Sequence, residues 1–306
     1  MSSTLAPHAL VVRSADRHIW PGAEVRSRQS FAATGNSDFI GNAFGLLLVH
    51  NDDVVAPGEG FDMHQHRDVE IVSWIIDGRV RHRDSDGRDL LLTPGMSQHV
   101  SAGSGVRHSE VNANGFTSGR SLRVIQVWLP PDRTGTTPRH AEADFSAALA
   151  AGGFVTVAVG PDREGDDDAR LRDDTTSPTA PSPLRTGTTG AVFRVAHMTP
   201  GETLTATDGE APYVHVFVAT GEVTVGGPAA AHLAGAGSGA EQPTGGGRSA
   251  SEQLTADSGS GAETTLSEGD AARLTGAGAL TLTASAPSEV LVWEMDRRAD
   301  EPAPAA

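Results

Sequence analysis

The chain has 306 residues, a formal net charge of −16 and no cysteine, and all 23 of its basic residues are arginine. Such acidity argues against direct binding to nucleic acid, whose phosphate backbone needs a basic face. Without cysteine there are no disulfides or thiolate metal sites, so any metal must sit on nitrogen and oxygen ligands.

The length suits two domains at roughly 100–200 residues each. The opening "MSSTLAPHALVVRSADRHIW" has no apolar stretch after a basic start, and no window approaches 18 consecutive apolar residues. Neither a signal peptide nor a membrane span is expected, and the expected location is cytoplasmic.

In chain order, the first half reads as short strands separated by turn signals. "FGLLLVHND" (44–52), "EIVSWIIDG" (70–78), "RDLLLTPG" (88–95) and "SLRVIQVWLP" (121–130) are rich in β-branched and aromatic residues and bounded by Gly, Asp or Pro. "DSDGRD" (84–89) carries the Asp-Gly signal of a hairpin. This pattern predicts a sandwich or small barrel. "EADFSAALAAGG" (142–153) is the best helix candidate, and "GFVTVAVGP" (153–161) returns to strand. The acidic, then Pro/Ser/Thr-rich segment 162–183 reads as a solvated connection.

A second run of strands follows at 191–198, 213–227, 279–285 and 289–295. It is broken by a Gly/Ala/Ser-rich stretch, 228–263, with almost no large apolar residue, which is expected to be a disordered insert. Residues 299–306 read as a flexible tail. The halves also repeat one another. "PGEGFDMHQHRDVEIVSWIIDGRV" and "PGETLTATDGEAPYVHVFVATGEV" both run from a Pro-Gly to an apolar strand, a turn glycine and a valine. Two copies of one β-unit are the simplest account. The expected division is 1–142 for a first barrel and 143–298 for a second.

Two stretches carry chemistry. "GFDMHQHRDVE" (60–70) places His64 and His66 one residue apart, and "SGVRHSEV" (104–111) does the same for His108 and Glu110. In a strand, residues i and i+2 share a face. If the two strands face each other inside a barrel, three imidazoles and a carboxylate converge, a donor set that suits divalent iron, manganese, nickel or copper. On these four residues alone, scattered surface histidines are at least as good a reading. With 12 histidines in the chain, chance alone gives about half an H-x-H pair.

The surrounding pattern favours the metal. "PGEGFDMHQHRDVEIVSWIIDG" followed by "TPGMSQHVSAGSGVRHSE" closely resembles the pirin family of bicupins, with its H-x-H-R-x-x-E strand, its P-G-x-x-Q and its A-G-x-G-x-x-H-S-E. The resemblance is strong over residues 8–132 and weaker through 183–202 and 288–295. It implies an all-β bicupin, two jelly-roll-type barrels packed face to face, with one divalent metal in the first. Iron(II) is the expected metal, with Mn, Ni, Cu or Zn as alternatives, and its ligands fall on His64, His66, His108 and Glu110. Gln65, Asp68 and Val69 depart from the commonest family pattern, where Pro, Gly and Phe are frequent.

In the second repeat the matching positions are Thr207, Gly209, Tyr213, Leu282 and Ala284. None is a strong metal ligand, so the second barrel is expected to be structural. Around the first site, Glu70 is expected to hydrogen-bond behind the ligands, with an ordinary strand carboxylate as the alternative. Arg67 could form a salt bridge or steer an anionic substrate. Gln98 and Gln126 could line the cavity or bond within the sheet, and Trp74 and Trp128 read as core.

The resemblance implies one of two functions. One is a quercetin 2,3-dioxygenase-like enzyme acting on a flavonol-like aromatic substrate, with Glu110 as the natural proton acceptor. The other is a non-catalytic, metal-dependent regulator that binds a protein partner, such as a transcription factor or a metabolic enzyme. A zinc isomerase of the cupin type is a third class.

Overall fold

The structure, a computed structural model, describes residues 6–31, 37–161, 181–233, 264–276 and 278–303. The first half contributes β1 (His8–Val12), β2 (His18–Pro21), β3 (Val25–Phe31), β4 (Val49–Val55), β5 (Gly60–His66), β6 (Glu70–Asp77), β7 (Val80–Asp84), β8 (Asp89–Leu92), β9 (Met96–Ser101), β10 (Val106–Asn112) and β11 (Leu122–Leu129). The second contributes β12 (Arg139–Asp144), α1 (Ser146–Ala150), β13 (Phe154–Val159), β14 (Leu184–Arg185), β15 (Ala191–Met198), β16 (Thr203–Thr207), β17 (Tyr213–Thr220), β18 (Glu222–Gly226), α2 (Ala230–Leu233), β19 (Thr264–Ser267), β20 (Ala271–Thr275), β21 (Leu280–Ala284) and β22 (Ser288–Met295).

Each half pairs a seven-stranded sheet with a four-stranded one. The first has the orders β12-β9-β6-β11-β4-β3-β2 and β5-β10-β7-β8, and the second β1-β20-β17-β22-β15-β13-β14 and β16-β21-β18-β19. The order β9-β6-β11-β4 recurs as β20-β17-β22-β15, and β5-β10-β7-β8 recurs as β16-β21-β18-β19. The all-β bicupin architecture expected from the sequence is therefore present.

The two large sheets pack against each other. Leu47, Val72, Trp74 and Ile125 of the first meet Phe193, Phe217, Leu291 and Trp293 of the second in one buried cluster. This explains why β6 and β22 read as continuous apolar runs: one face lines a barrel and the other lines the interface, so both are buried. The barrel interiors differ. The second is filled by one large apolar cluster that includes Val216, Val223, Leu266 and Leu282. The first has two small clusters, one around Ile75 and Leu92 and one around Ile71 and Val100. The remaining interior of the first barrel is polar.

The chain exchanges strands between the halves. β1 pairs with β20 of the second sheet, His8 opposite Thr275. β12 pairs with β9 of the first, Arg139 opposite Ser101. Residues 8–12, which the sequence assigns to the first barrel, thus hydrogen-bond in the second. The two joints match in detail. Gly95 turns at φ +84 against Ser146, just after β12, and Gly269 turns at φ +80 against Ser14, just after β1. A Cβ at either glycine would collide with the serine hydroxyl, and positive φ already favours glycine there.

Three expectations change. The helix expected over 142–153 is only α1, because residues 139–144 complete the edge of β9. The insert expected over 228–263 begins as structure: Ala229 and Leu233 are buried in the second core, and α2 carries the latter. Residues 234–263 lie outside the described residues, as do 162–180 of the connection. In the expected tail, the Ala299 backbone N–H donates to the Gly45 carbonyl and Arg298 pairs with Asp300, so 299–300 are tied down. Residues 304–306 lie outside the described residues.

Candidate metal centre

β5 and β10 are antiparallel neighbours, with His108 opposite His64 and Val106 opposite His66. The strand period of two then directs His64, His66 and His108 into the barrel together. A bulge between His108 and Glu110 slips the register, so Glu110 lies opposite Phe61 on one side. On its other side Glu110 lies opposite His82 of β7.

The three imidazoles cluster tightly. Ring centroids are 4.7 Å apart for His64 and His66, 4.5 Å for His64 and His108, and 4.9 Å for His66 and His108. Nε2 of His64 is 3.1 Å from Nε2 of His108. Nδ1 of His64 is 2.7 Å from the Asp62 carbonyl oxygen. That bond needs a proton on Nδ1, which leaves the Nε2 lone pair aimed at the cluster. His66 Nε2 is buried with no hydrogen-bond partner in the protein. Burial, reinforced by the neighbouring imidazoles, pushes His66 down to about 4, and burial likewise pushes His108 down to about 4. Both are therefore neutral at pH 7, the form that binds metal.

Glu110 is buried and accepts hydrogen bonds from two amides, Gln98 Nε2 on Oε1 and Gln126 Nε2 on Oε2 at 2.8 Å. Burial alone would raise its pKa. The neighbouring His82 and His108 outweigh that and hold it down at about 2, so it is a carboxylate. Neutral imidazoles beside one buried carboxylate fit a divalent cation. The donor atoms fall in two triads, each within 4.8 Å: His64, His66 and His108, and then His82, His108 and Glu110. Glu110 thus joins the sequence-predicted set through His108, and His82 is a neighbour that the motif did not indicate. A local signal existed: along "VRHRD" (80–84), Val80 and His82 are buried while Arg81 and Arg83 point to solvent. Among the described residues, the groups able to hold a metal all lie in this barrel. In the second barrel Leu282 and Ala284 are apolar and buried, and Thr207 donates to Glu294.

The surrounding residues divide clearly. Gln98 and Gln126 line the site. Glu70 does not back the ligands: it accepts from His99 Nε2 (2.6 Å), Ser101 Oγ (2.7 Å) and the Gly187 backbone N–H (2.7 Å), the last from the second half. Trp74 is core, and its Nε1 donates to Glu289 of the second half at 2.5 Å. Trp128 is at the site, with its ring 5.0 Å from His66 and 5.8 Å from Phe39. Arg67 is exposed.

A family model described as Pirin matches residues 16–129. A Mycobacterium tuberculosis protein, provisionally named a quercetin 2,3-dioxygenase, is 34% identical over 283 residues, 92% of this chain and 93% of that protein. The chain belongs to the pirin family. The Escherichia coli protein named quercetin 2,3-dioxygenase is 41% identical to this pirin over 118 residues, 39% of this chain and 49% of that one. Among solved structures, the Escherichia coli pirin YhhW in complex with nickel(II) superposes with a TM-score of 0.68 at 23% identity, covering 94% of this chain and 99% of that one. At that identity the likeness speaks for the fold. Both sequence relatives carry the name quercetin 2,3-dioxygenase, the mycobacterial one provisionally. No helix among the described residues is long and apolar enough to cross a membrane.

Proposed function

We propose that this pirin is a metal-dependent dioxygenase that opens flavonols such as quercetin with O₂, using one divalent ion, iron(II) in the first instance, held by His64, His66, His108 and Glu110. The observation that carries this reading is the convergence of three imidazoles, one of them oriented by its Nδ1–H donating to the Asp62 carbonyl, beside a buried carboxylate. When bound there, the ion supplies Lewis-acid and electron-transfer chemistry.

The protein's own residues supply the rest. Trp128, packed between His66 and Phe39, offers a flat aromatic wall to a planar substrate. Glu110 is first an anionic ligand. Its oxygens are held by the Gln98 and Gln126 amides, so it would take the flavonol proton on an oxygen that one of them gives up. Those two amides then serve as donors that position the substrate oxygen.

The test is oxygen uptake and carbon monoxide release with quercetin on protein loaded in turn with iron, manganese, nickel, copper and zinc. Turnover with a flavonol supports the enzyme. No uptake with any flavonol and any metal rejects it and leaves the metal-dependent regulator, for which the net charge of −16 favours a basic protein partner.

A further inference from the structure

His82 has no role in the fold that explains its placement. It is fully buried, and neither ring nitrogen has a hydrogen-bond partner in the protein. Its nearest charged atoms are Glu110 Oε1, 3.8 Å from Nδ1, and Asp84 Oδ2, 4.0 Å from Nε2. Both distances are too long for a hydrogen bond. Asp84 is already engaged, accepting from Arg88 Nη1 at 3.0 Å and from the Asp86 and Arg88 backbone N–H groups at 2.9 and 3.0 Å. The rings of His108 and His140 lie 5.1 and 4.9 Å away. A buried polar group left unpaired is costly, and this fold does not require one here. By strand register Glu110's counterpart in the second barrel is Leu282, and it faces an apolar residue, Val225, in the place of His82.

The donor atoms of His82, His108 and Glu110 nevertheless lie within 4.8 Å of one another. We propose that His82 is a metal ligand and that His82, His108 and Glu110 form a second, inner position for the divalent ion, beside the outer His64–His66–His108 position. The inference rests on the reading that this barrel holds a divalent cation. It accounts for two features at once. Glu110 clusters with His82 rather than with the two histidines of β5, because β7 and β5 flank β10 on opposite sides. His82 keeps both nitrogens free because one of them is a ligand. His108, common to both triads, lets one ion pass between a half-buried outer position and a buried inner one.

The experiment is equilibrium binding of Ni(II) to the metal-free, full-length protein. The His64→Ala, His66→Ala double variant loses two of the three outer donors. It should still bind one Ni(II) per chain, and adding His82→Leu should abolish that binding. The inference is overturned if the double variant, folded by circular dichroism, binds no Ni(II), or if the triple variant binds as tightly as the double. If His82→Leu does not fold, ¹⁵N-histidine spectra of the unaltered chain titrated with Zn(II) read the same point. Perturbation of four imidazoles supports the inner position, and perturbation of three rejects it. An unaltered protein that binds no divalent ion fails the proposed function itself.

Discussion

Asp53 is a buried carboxyl that is costly to ionise inside the first barrel, and replacing it with asparagine should stabilise the protein at alkaline pH. It sits on β4 at 1% exposure, opposite Ser27 on β3 and Val124 on β11. Burial pushes its carboxyl up to about 7, from 3.8. Ser27 pulls it back in part, although neither Ser27 Oγ nor Asp53 Oδ1 closes a full hydrogen bond, and the negative charges of Asp52 and Glu110 push it further up. The difference is roughly 3 units, and at 1.36 kcal/mol per unit the ionised side chain costs the folded state ~4 kcal/mol as an upper bound. Below the unfolded value of 3.8 both states are protonated and there is no penalty. As pH rises from there to about 7, the unfolded state releases its proton first and stability falls. Above 7 the whole penalty is present. Asparagine keeps the shape and cannot ionise. Urea unfolding of chelator-treated protein should therefore show Asp53→Asn close to the parent at pH 4 and about 1–4 kcal/mol more stable at pH 8.5. A difference that stays flat with pH, or a variant less stable at pH 8.5, would refute the reasoning.

His64→Ala should weaken the affinity for metal, and His108→Ala, which removes the donor common to both triads, should lower bound metal outright, while the thermal transition of the barrels survives, as read by metal titration, elemental analysis and circular dichroism. In fully metallated samples, Glu110→Gln should cut flavonol turnover by about 10²–10⁴, the usual worth of general acid–base catalysis, while metal stays bound. If the glutamine variant keeps its turnover per metal, Glu110 is a ligand and not the base. Leu233→Ala should cost about 2–5 kcal/mol in chemical denaturation, because this side chain is 2% exposed in the second core. Trp74→Phe removes the donor that Glu289 accepts from across the two halves. Leaving that buried carboxylate short of a partner should destabilise by about 1–3 kcal/mol.

How much of this was legible follows from how local each signal is. The pairs His64/His66 and His108/Glu110 were readable because the strand period of two lies within three consecutive residues. The pattern fitted β-structure so closely that β15 occupies the expected 191–198. His82 was not readable from its motif, since its meaning comes from Glu110 across the ladder, a pairing that only the fold supplies. Glu70 misled for the complementary reason. Its place in the cupin pattern points at the metal, while its hydrogen bonds run to His99, Ser101 and the second half. The helix over 142–153 lost its first turn to strand pairing at the edge of β9, where tertiary context overrode propensity. In the Gly/Ala-rich stretch a single large residue, Leu233, was enough to anchor α2.

The crossed placement of β1 and β12 bears on ancestry and on synthesis. Two similar units that each lend their first strand to the other have the form of a strand-swapped homodimer whose two copies were joined end to end. Within a single chain the exchange is permanent. It also gave the protein a vectorial problem at the ribosome. The edge of β9 can be covered once residues 139–144 emerge, but β1 must wait for residues 271–275, nearly the whole chain later. Until then an amino-terminal strand with the sequence HALVV is left without its partner, a segment for chaperones to shield during translation. A piece of the gene encoding only the first barrel would carry β1 with nothing to pair with and leave β9 bare, so this pirin is best produced whole.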